Sequence, residues 1–238
     1  MGNVKMLAFD LDGTLTQHKT KLSAEYREIL YKLKEKYMLV MVGAGQTRRV
    51  FEQMERFPID VIGNYGMQYA KYSYEARDLE TVYDISLPCN RELCEERITL
   101  LRERHGFTEF SGDNVEYHPS GCVTFPVLGT KAKPEDKLKF DPDRRKRRAF
   151  YDEVKQLFPE YNVFVGGSSS FDMAPLPYDK YYALDKYCKE KGVLHNEVIF
   201  VGDDYGLGGN DESVYKSDFG FIKIDDYLTF GEKVKHLL

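Results

Sequence analysis

The 238-residue sequence contains no tryptophan, only four cysteines, and no run of about 18 apolar residues. Without such a run no helix spans a membrane. Asp10 and Asp12 interrupt the one apolar stretch near the start, so no secretory leader is expected there. Cys89, Cys94, Cys122 and Cys188 form no CxxC pair and are too sparse for a disulfide framework, which implies reduced thiols and a cytoplasmic protein. Positive charge is not in surplus. The 34 lysines and arginines stand against 39 acidic residues, and the net charge of −5 argues against a nucleic-acid partner. Repeats and low-complexity segments are absent. What is there is an ordinary globular composition, long enough to bury one large core or two smaller ones.

Apolar periodicity divides the chain into three stretches. From Met6 to about Tyr72, strand and helix signals alternate. MLAF (6–9) reads as a buried strand. Leu22, Tyr26, Ile29, Leu30 and Leu33 share a helical face, with Ser23 as N-cap. YMLVMVG (37–43) reads as a strand buried on both faces, Val50, Phe51, Met54 and Phe57 as a second helical stripe, and DVIG (60–63) as a further strand. The middle reads as an α+β insert. Its strand signals are VYDISL (82–87), NVEYH (114–118), CVTFPVL (122–128) and YNVFVGG (161–167). Its helical stripes are at 93–101 and 150–158. After Asp179 the first rhythm returns, with a helix to about Lys191, EVIFVG (197–202) and FGFIKI (219–224). The expectation is a doubly wound, mainly parallel α/β core of residues 1–81 and 177–238, carrying an inserted α+β cap of residues 82–176. RRKRR (144–148), flanked by acidic residues, reads as a solvated charged face.

In open parallel sheets ligands bind beyond the carboxyl ends of strands. Three such ends carry polar or glycine-rich groups: Asp10 and Asp12, GAGQT (43–47), and GDD (202–204). A carboxylate at the end of a buried run is costly unless something holds it. Each motif alone also fits a plainer feature: a turn for DLDGT, a flexible or calcium-binding loop for GDDYGLGGND, a solvated helix-start residue for Lys180.

Taken in order, DLDGTLT (10–16), DKYYAL (179–184) and GDDYGLGGND (202–211) resemble the motifs of the haloacid dehalogenase superfamily of phosphoryl-transfer enzymes. Within it the chain resembles the eukaryotic-type phosphomannomutases. GGSSSFDMAPLPYDK (166–180) fits their GGxxSFDxxPxxxDK pattern, and EFSGDNVEYHPSG (109–121) fits their EFxxxxxxxxPxG pattern. The resemblance implies that Asp10 attacks phosphorus and forms an aspartyl phosphate, that Asp12 moves the proton, and that Lys180 pairs with Asp10 and the transferring group. It implies Mg²⁺ held by Asp10, Asp203 and the backbone carbonyl of Asp12. Asp204, Asn210 and Asp211 would orient those groups. Lys19, Gly45, Gln46, Thr47, Ser170 and Asp172 would contact substrate.

The departures from the pattern concern charge. Ser111 and Cys122 stand where the mutases carry arginines, Lys19 where they carry another, and Gly45 where their GGSD loop has serine. A mutase must grip a second phosphate, and neither Ser111 nor Cys122 is cationic. The expected activity is therefore a Mg²⁺-dependent phosphatase acting on a small phosphorylated metabolite such as a sugar phosphate. A phosphomannomutase-type hexose-phosphate mutase is the alternative. A non-catalytic phosphosugar-binding protein is a third reading, and the intact set Asp10, Asp12, Lys180 and Asp203 speaks against it. The expected partner is the metabolite rather than nucleic acid or membrane, and the resemblance implies a homodimer formed through the cap.

Overall fold

A computed structural model describes residues 4–238. Two compact units are present. The first comprises the chain up to Ile85 with Tyr178–Gly206 and Asp211–Leu238, and the second Ser86–Pro177 with Leu207–Asn210.

Seven strands, numbered in chain order, form the sheet of the first unit: β1 (Met6–Phe9), β2 (Met38–Val42), β3 (Asp60–Gly63), β4 (Gln68–Ser73), β5 (Asp78–Asp84), β10 (Val198–Gly202) and β11 (Gly220–Lys223). The order is β11-β10-β1-β2-β3-β4-β5. The pairs from β11 to β3 are parallel, and β4 and β5 add an antiparallel edge. Alternation along β1 explains why the sheet is covered on both faces. Leu7 and Phe9 pack with α1 (Ala24–Lys34) and α2 (Thr47–Gln53), whereas Met6 and Ala8 pack with α7 (Lys180–Lys191). Ser23 caps α1 by accepting from the Tyr26 N–H. Residues 82–84, grouped with the insert by the sequence reading, instead belong to β5, where Tyr83 and Asp84 pair with β4 and Val82 sits at a bulge, and the chain enters the second unit after Ile85.

The second unit has the sheet β6 (Glu116–Tyr117), β7 (Val123–Pro126), β9 (Ser170–Pro175) and β8 (Tyr161–Phe164), in the order β6-β7-β9-β8 and antiparallel throughout. Four helices accompany it: α3 (Arg91–His105), α4 (Pro134–Phe140), α5 (Arg145–Arg148) and α6 (Tyr151–Leu157). Ile98 and Leu101 of α3 and Val154 of α6 join Phe125, Phe171 and Met173 in its core. The basic run 144–148 is not wholly solvated. Arg147 is fully buried, its Nε donating to Asp141 Oδ2 at 2.8 Å and its Nη1 to Ser170 O at 2.8 Å. Among the described residues no helix is long and apolar enough to cross a membrane.

Candidate active site

The site begins where β1 and β10 run side by side. Phe9 pairs with Val201, and the Asp10 N–H donates to Val201 O at 3.0 Å, so Asp10 and Asp203 leave neighbouring strand ends. After Leu11 the chain turns back on itself. The N–H groups of Thr14, Leu15 and Thr16 all point at Leu11 O. Gly13 in that turn has φ +97°, and a Cβ there would lie 2.4 Å from Asp203 Oδ2, so only glycine lets the late carboxylate close in. Thr14 Oγ1 then donates to Asp203 Oδ1 at 3.0 Å.

Lys180 is the first residue of α7. Asp179 caps that helix by accepting from the Tyr182 N–H at 2.7 Å, which fixes where the helix starts. The Lys180 ammonium is fully buried and donates to Asp10 Oδ1 at 2.6 Å and to Asp211 Oδ1 at 2.7 Å. Burial works against its charge, but the two carboxylates outweigh that and hold it above the ordinary lysine value. Asp211 uses its other oxygen to accept from the Asp204 N–H at 3.0 Å. Both Asp211 oxygens are therefore committed, which makes it the residue that orients Lys180.

Asp12 faces a different set. Its Oδ1 accepts from the Lys19 N–H and from Gln53 Nε2, each at 2.7 Å, and its Oδ2 accepts from Arg49 Nη1 at 3.2 Å. Burial pushes its carboxyl up, but Gln53, the Lys19 amide and Arg49 more than reverse this and hold it below the usual value. Asp12 rests as a carboxylate, ready to accept a proton. Replacing Gln53 with Leu removes the largest of the lowering interactions. The acid limb of the pH–rate profile is expected to move to higher pH, and a limb that stays in place would contradict this role for Gln53.

Arg49 and Gln53 were not found from the sequence. They lie four residues apart on α2 and bond to each other at 2.9 Å, and the packing of α2 carries them to Asp12. The packing of α2 also shapes the GAGQT loop. A Cβ at Gly45 would lie 2.1 Å from Arg49 Nη2, so a serine there would displace the guanidinium. The Thr47 N–H is taken by Gln68 Oε1 at 3.1 Å, and the Gln46 side chain makes no capping bond to α2. Lys19 meets Asp12 through its backbone, while its side chain is exposed.

Oxygen atoms of Asp10, Asp203 and Asp211 all lie within 4.8 Å of one another. Burial, reinforced by Asp10 and Asp211, pushes the Asp203 carboxyl up to about 8. Three carboxylates thus share a pocket with one ammonium. A hard dication with oxygen ligands fits that surplus of negative charge. The sign of the pH effect follows. Folded Asp203 keeps a proton that the unfolded chain releases near 3.8, so in the metal-free protein this contribution to stability is lost as pH rises through about 8. A Mg²⁺ ion bound at Asp203 would compete with that proton. The thermal shift on adding Mg²⁺ is expected to be larger at about pH 8 than at about pH 6, and equal shifts would contradict the assignment.

In the second unit, Ser170 and Asp172 lie together on β9. Thr124 Oγ1 donates to Asp172 Oδ1 at 3.0 Å, and Ser170 Oγ is 3.4 Å from the same oxygen. His118 Nε2 lies 3.0 Å from Thr124 Oγ1. Burial pushes the Asp172 carboxyl up despite these bonds. His118 and Thr124 were also missed, because the pairing of β6, β7 and β9 assembles them. Asn210 belongs with the segment 207–210, whose Gly208 O accepts from the Val165 N–H at 2.7 Å, and not with the first unit that holds Asp211.

A family model described as eukaryotic phosphomannomutase matches residues 26–221. The phosphomannomutase of Saccharomyces cerevisiae is 29% identical over 227 residues, covering 88% of this chain and 84% of that protein. That of Spinacia oleracea is 27% identical, covering 88% and 86%. Among solved structures, IMP-bound IMP-nucleotidase of Plasmodium falciparum superposes with a TM-score of 0.70 at 14% identity, over 99% of this chain and 68% of that one. A haloalkanoate-superfamily phosphatase of Bacteroides thetaiotaomicron gives 0.62 at 17% identity, over 99% and 95%. At such identities the structural likeness is one of fold. The family match is of another kind, because it spans residues 26–221 and reaches into both units, and on that ground the chain belongs to the eukaryotic phosphomannomutase family of the haloacid dehalogenase superfamily.

Proposed function

We propose that the protein moves a phosphoryl group between hydroxyls of a hexose phosphate through an aspartyl phosphate on Asp10, as a phosphomannomutase. The observation that carries this reading is the span of the family match. It covers residues 86–177, the unit that holds Ser170 and Asp172, as well as the part of the first unit that follows residue 25, which lies after Asp10 and Asp12. Shared chemistry alone would not need the second unit, whereas a shared substrate class would. We therefore set the mutase ahead of the phosphatase expected from the sequence.

Asp10 attacks phosphorus, and the ester P–O bond breaks toward the leaving hydroxyl. Asp12, ionised at rest, accepts the proton of the hydroxyl that attacks the phosphorylated Asp10, and in the opposite transfer returns it to the leaving oxygen. Lys180 keeps Asp10 aimed and offsets charge beside it, with Asp211 holding the lysine. Asp10, Asp203 and the Asp12 carbonyl would hold Mg²⁺, which would supply charge neutralisation for the phosphate. Asp12→Asn is expected to lower turnover by about 10²–10⁴-fold. Mg²⁺ affinity should largely survive, since the backbone carbonyl remains. A loss of affinity as large as that of Asp203→Asn would contradict the division of roles.

Hydrolysis is the second reading, favoured by the cations of the second unit. Ser111 and Cys122 bring none. Arg102 is committed to the carbonyls of Pro126 and Val127, each at 2.7 Å. Arg147 is committed to Asp141 and Ser170 O. The test supplies mannose 1-phosphate and glucose 1-phosphate, with and without a hexose bisphosphate activator. Activator-dependent 6-phosphate formation exceeding phosphate release is expected. Phosphate release with little 6-phosphate would overturn the mutase in favour of the phosphatase.

A further inference from the structure

We propose that Cys89 and Cys94 are an oxidisable dithiol that closes to an intramolecular disulfide when the protein meets a peroxide. The two sulfur atoms are 3.7 Å apart. Cys94 lies on α3, whose N-cap is Asn90. Cys89 therefore occupies the position before the cap and Cys94 the fourth helical position. Those two places meet across a helix start when both are apolar. The reduced thiols fill that contact as small hydrophobic groups. Their approach also sets the sulfurs within about 2 Å of disulfide bonding distance.

The pair is asymmetric, which assigns the order of events. Cys94 is 1% exposed, while Cys89 is half-buried and is met by the Tyr161 hydroxyl, which donates to its sulfur at 3.4 Å. Cys89, the more exposed of the two, is the sulfur that a peroxide reaches first. Burial, reinforced by Cys89, pushes the Cys94 thiol up to about 12. The Cys89 thiolate attacks one peroxide oxygen and breaks the O–O bond, giving a sulfenic acid and hydroxide. Cys94 sulfur then attacks the Cys89 sulfur, its proton leaves with the sulfenic hydroxyl, and water departs. Two thiols lose one electron pair to the peroxide, and for hydrogen peroxide the net products are one disulfide and two waters. Cys122, in the β6–β7 hairpin, and Cys188, on α7 of the other unit, are buried in separate places. The bond would pin the first turns of α3 to the segment that enters the second unit.

Peptide mapping tests this on the full-length protein. Arg91 lies between the two cysteines, so trypsin separates them unless a disulfide joins the fragments. The native protein is treated with hydrogen peroxide, quenched with an alkylating agent in denaturant and digested. The expected result is one linked pair of peptides carrying Cys89 and Cys94, a mass loss of about 2 Da, and alkylation of Cys122 and Cys188. In Cys94→Ser the same treatment should leave Cys89 as a sulfenic acid that dimedone traps. Cys89 over-oxidised in the wild type with Cys94 alkylated, links to Cys122 or Cys188, or four alkylated thiols would each overturn the proposal.

Discussion

Asp10→Asn is expected to abolish turnover, by about 10⁴–10⁶-fold, while leaving the fold intact. The amide is nearly isosteric but is no nucleophile, so the covalent step is lost rather than slowed. The fold should tolerate the change because Lys180 keeps its bond to Asp211 Oδ1. Removing the Asp10 charge also relieves one of the three carboxylates that push Asp203 upward. Steady-state rates and a thermal melt on the same preparation check both halves. A near-normal rate would end the assignment of Asp10 as nucleophile.

Lys180→Met is expected to lose both activity and stability. The side chain keeps its length and apolar stem, but two buried carboxylates lose their shared cation. Removing one partner of a buried ion pair costs about 3–5 kcal/mol, or about 6–20 °C in melting temperature for a chain of this size. The loss depends on pH in a definite direction. Burial already pushes Asp211 up to about 6 against the pull of Lys180. Without the lysine it rises further, so the folded state binds the proton more tightly than the unfolded chain does. The penalty is small in acid, where Asp211 is protonated, and grows as pH rises. Asp211→Asn added to Lys180→Met should recover part of the stability and none of the activity. A loss independent of pH would show that packing rather than charge sets the cost.

What was legible in the sequence is what strand ends and helix caps announce. MLAF followed by DLD marks a buried strand that must deliver carboxylates, and the parallel pairing of β1 with β10 brings Asp203 beside Asp10. Asp179 marks the start of α7 and thereby the place of Lys180. What was hidden depends on partners distant in the chain. Gln53 reaches Asp12 across 41 residues because α2 packs beneath the β1 turn, and nothing in TRRVFEQ announces that role. Arg147 sits in a run of five basic residues, where composition reads as solvated, yet Asp141 draws this one side chain inside. In β9, Phe171 and Met173 are in the core while Ser170 and Asp172 are on the other face. That alternation, short and set in a serine-rich stretch, is the one sequence signal of the strand. The antiparallel edge of β4 and β5 is polar and largely exposed along β5, so hydrophobic patterning carries little signal there.

The central claim is that Asp10 carries the phosphoryl group in turnover. The most direct measurement is to quench the working enzyme in acid, reduce with borohydride and map the modified residue by mass spectrometry. An acyl phosphate on Asp10 is reduced to homoserine at position 10, and Asp10→Asn should show none. Conversion at Asp12, or full turnover with no reducible acyl phosphate at position 10, would contradict the account.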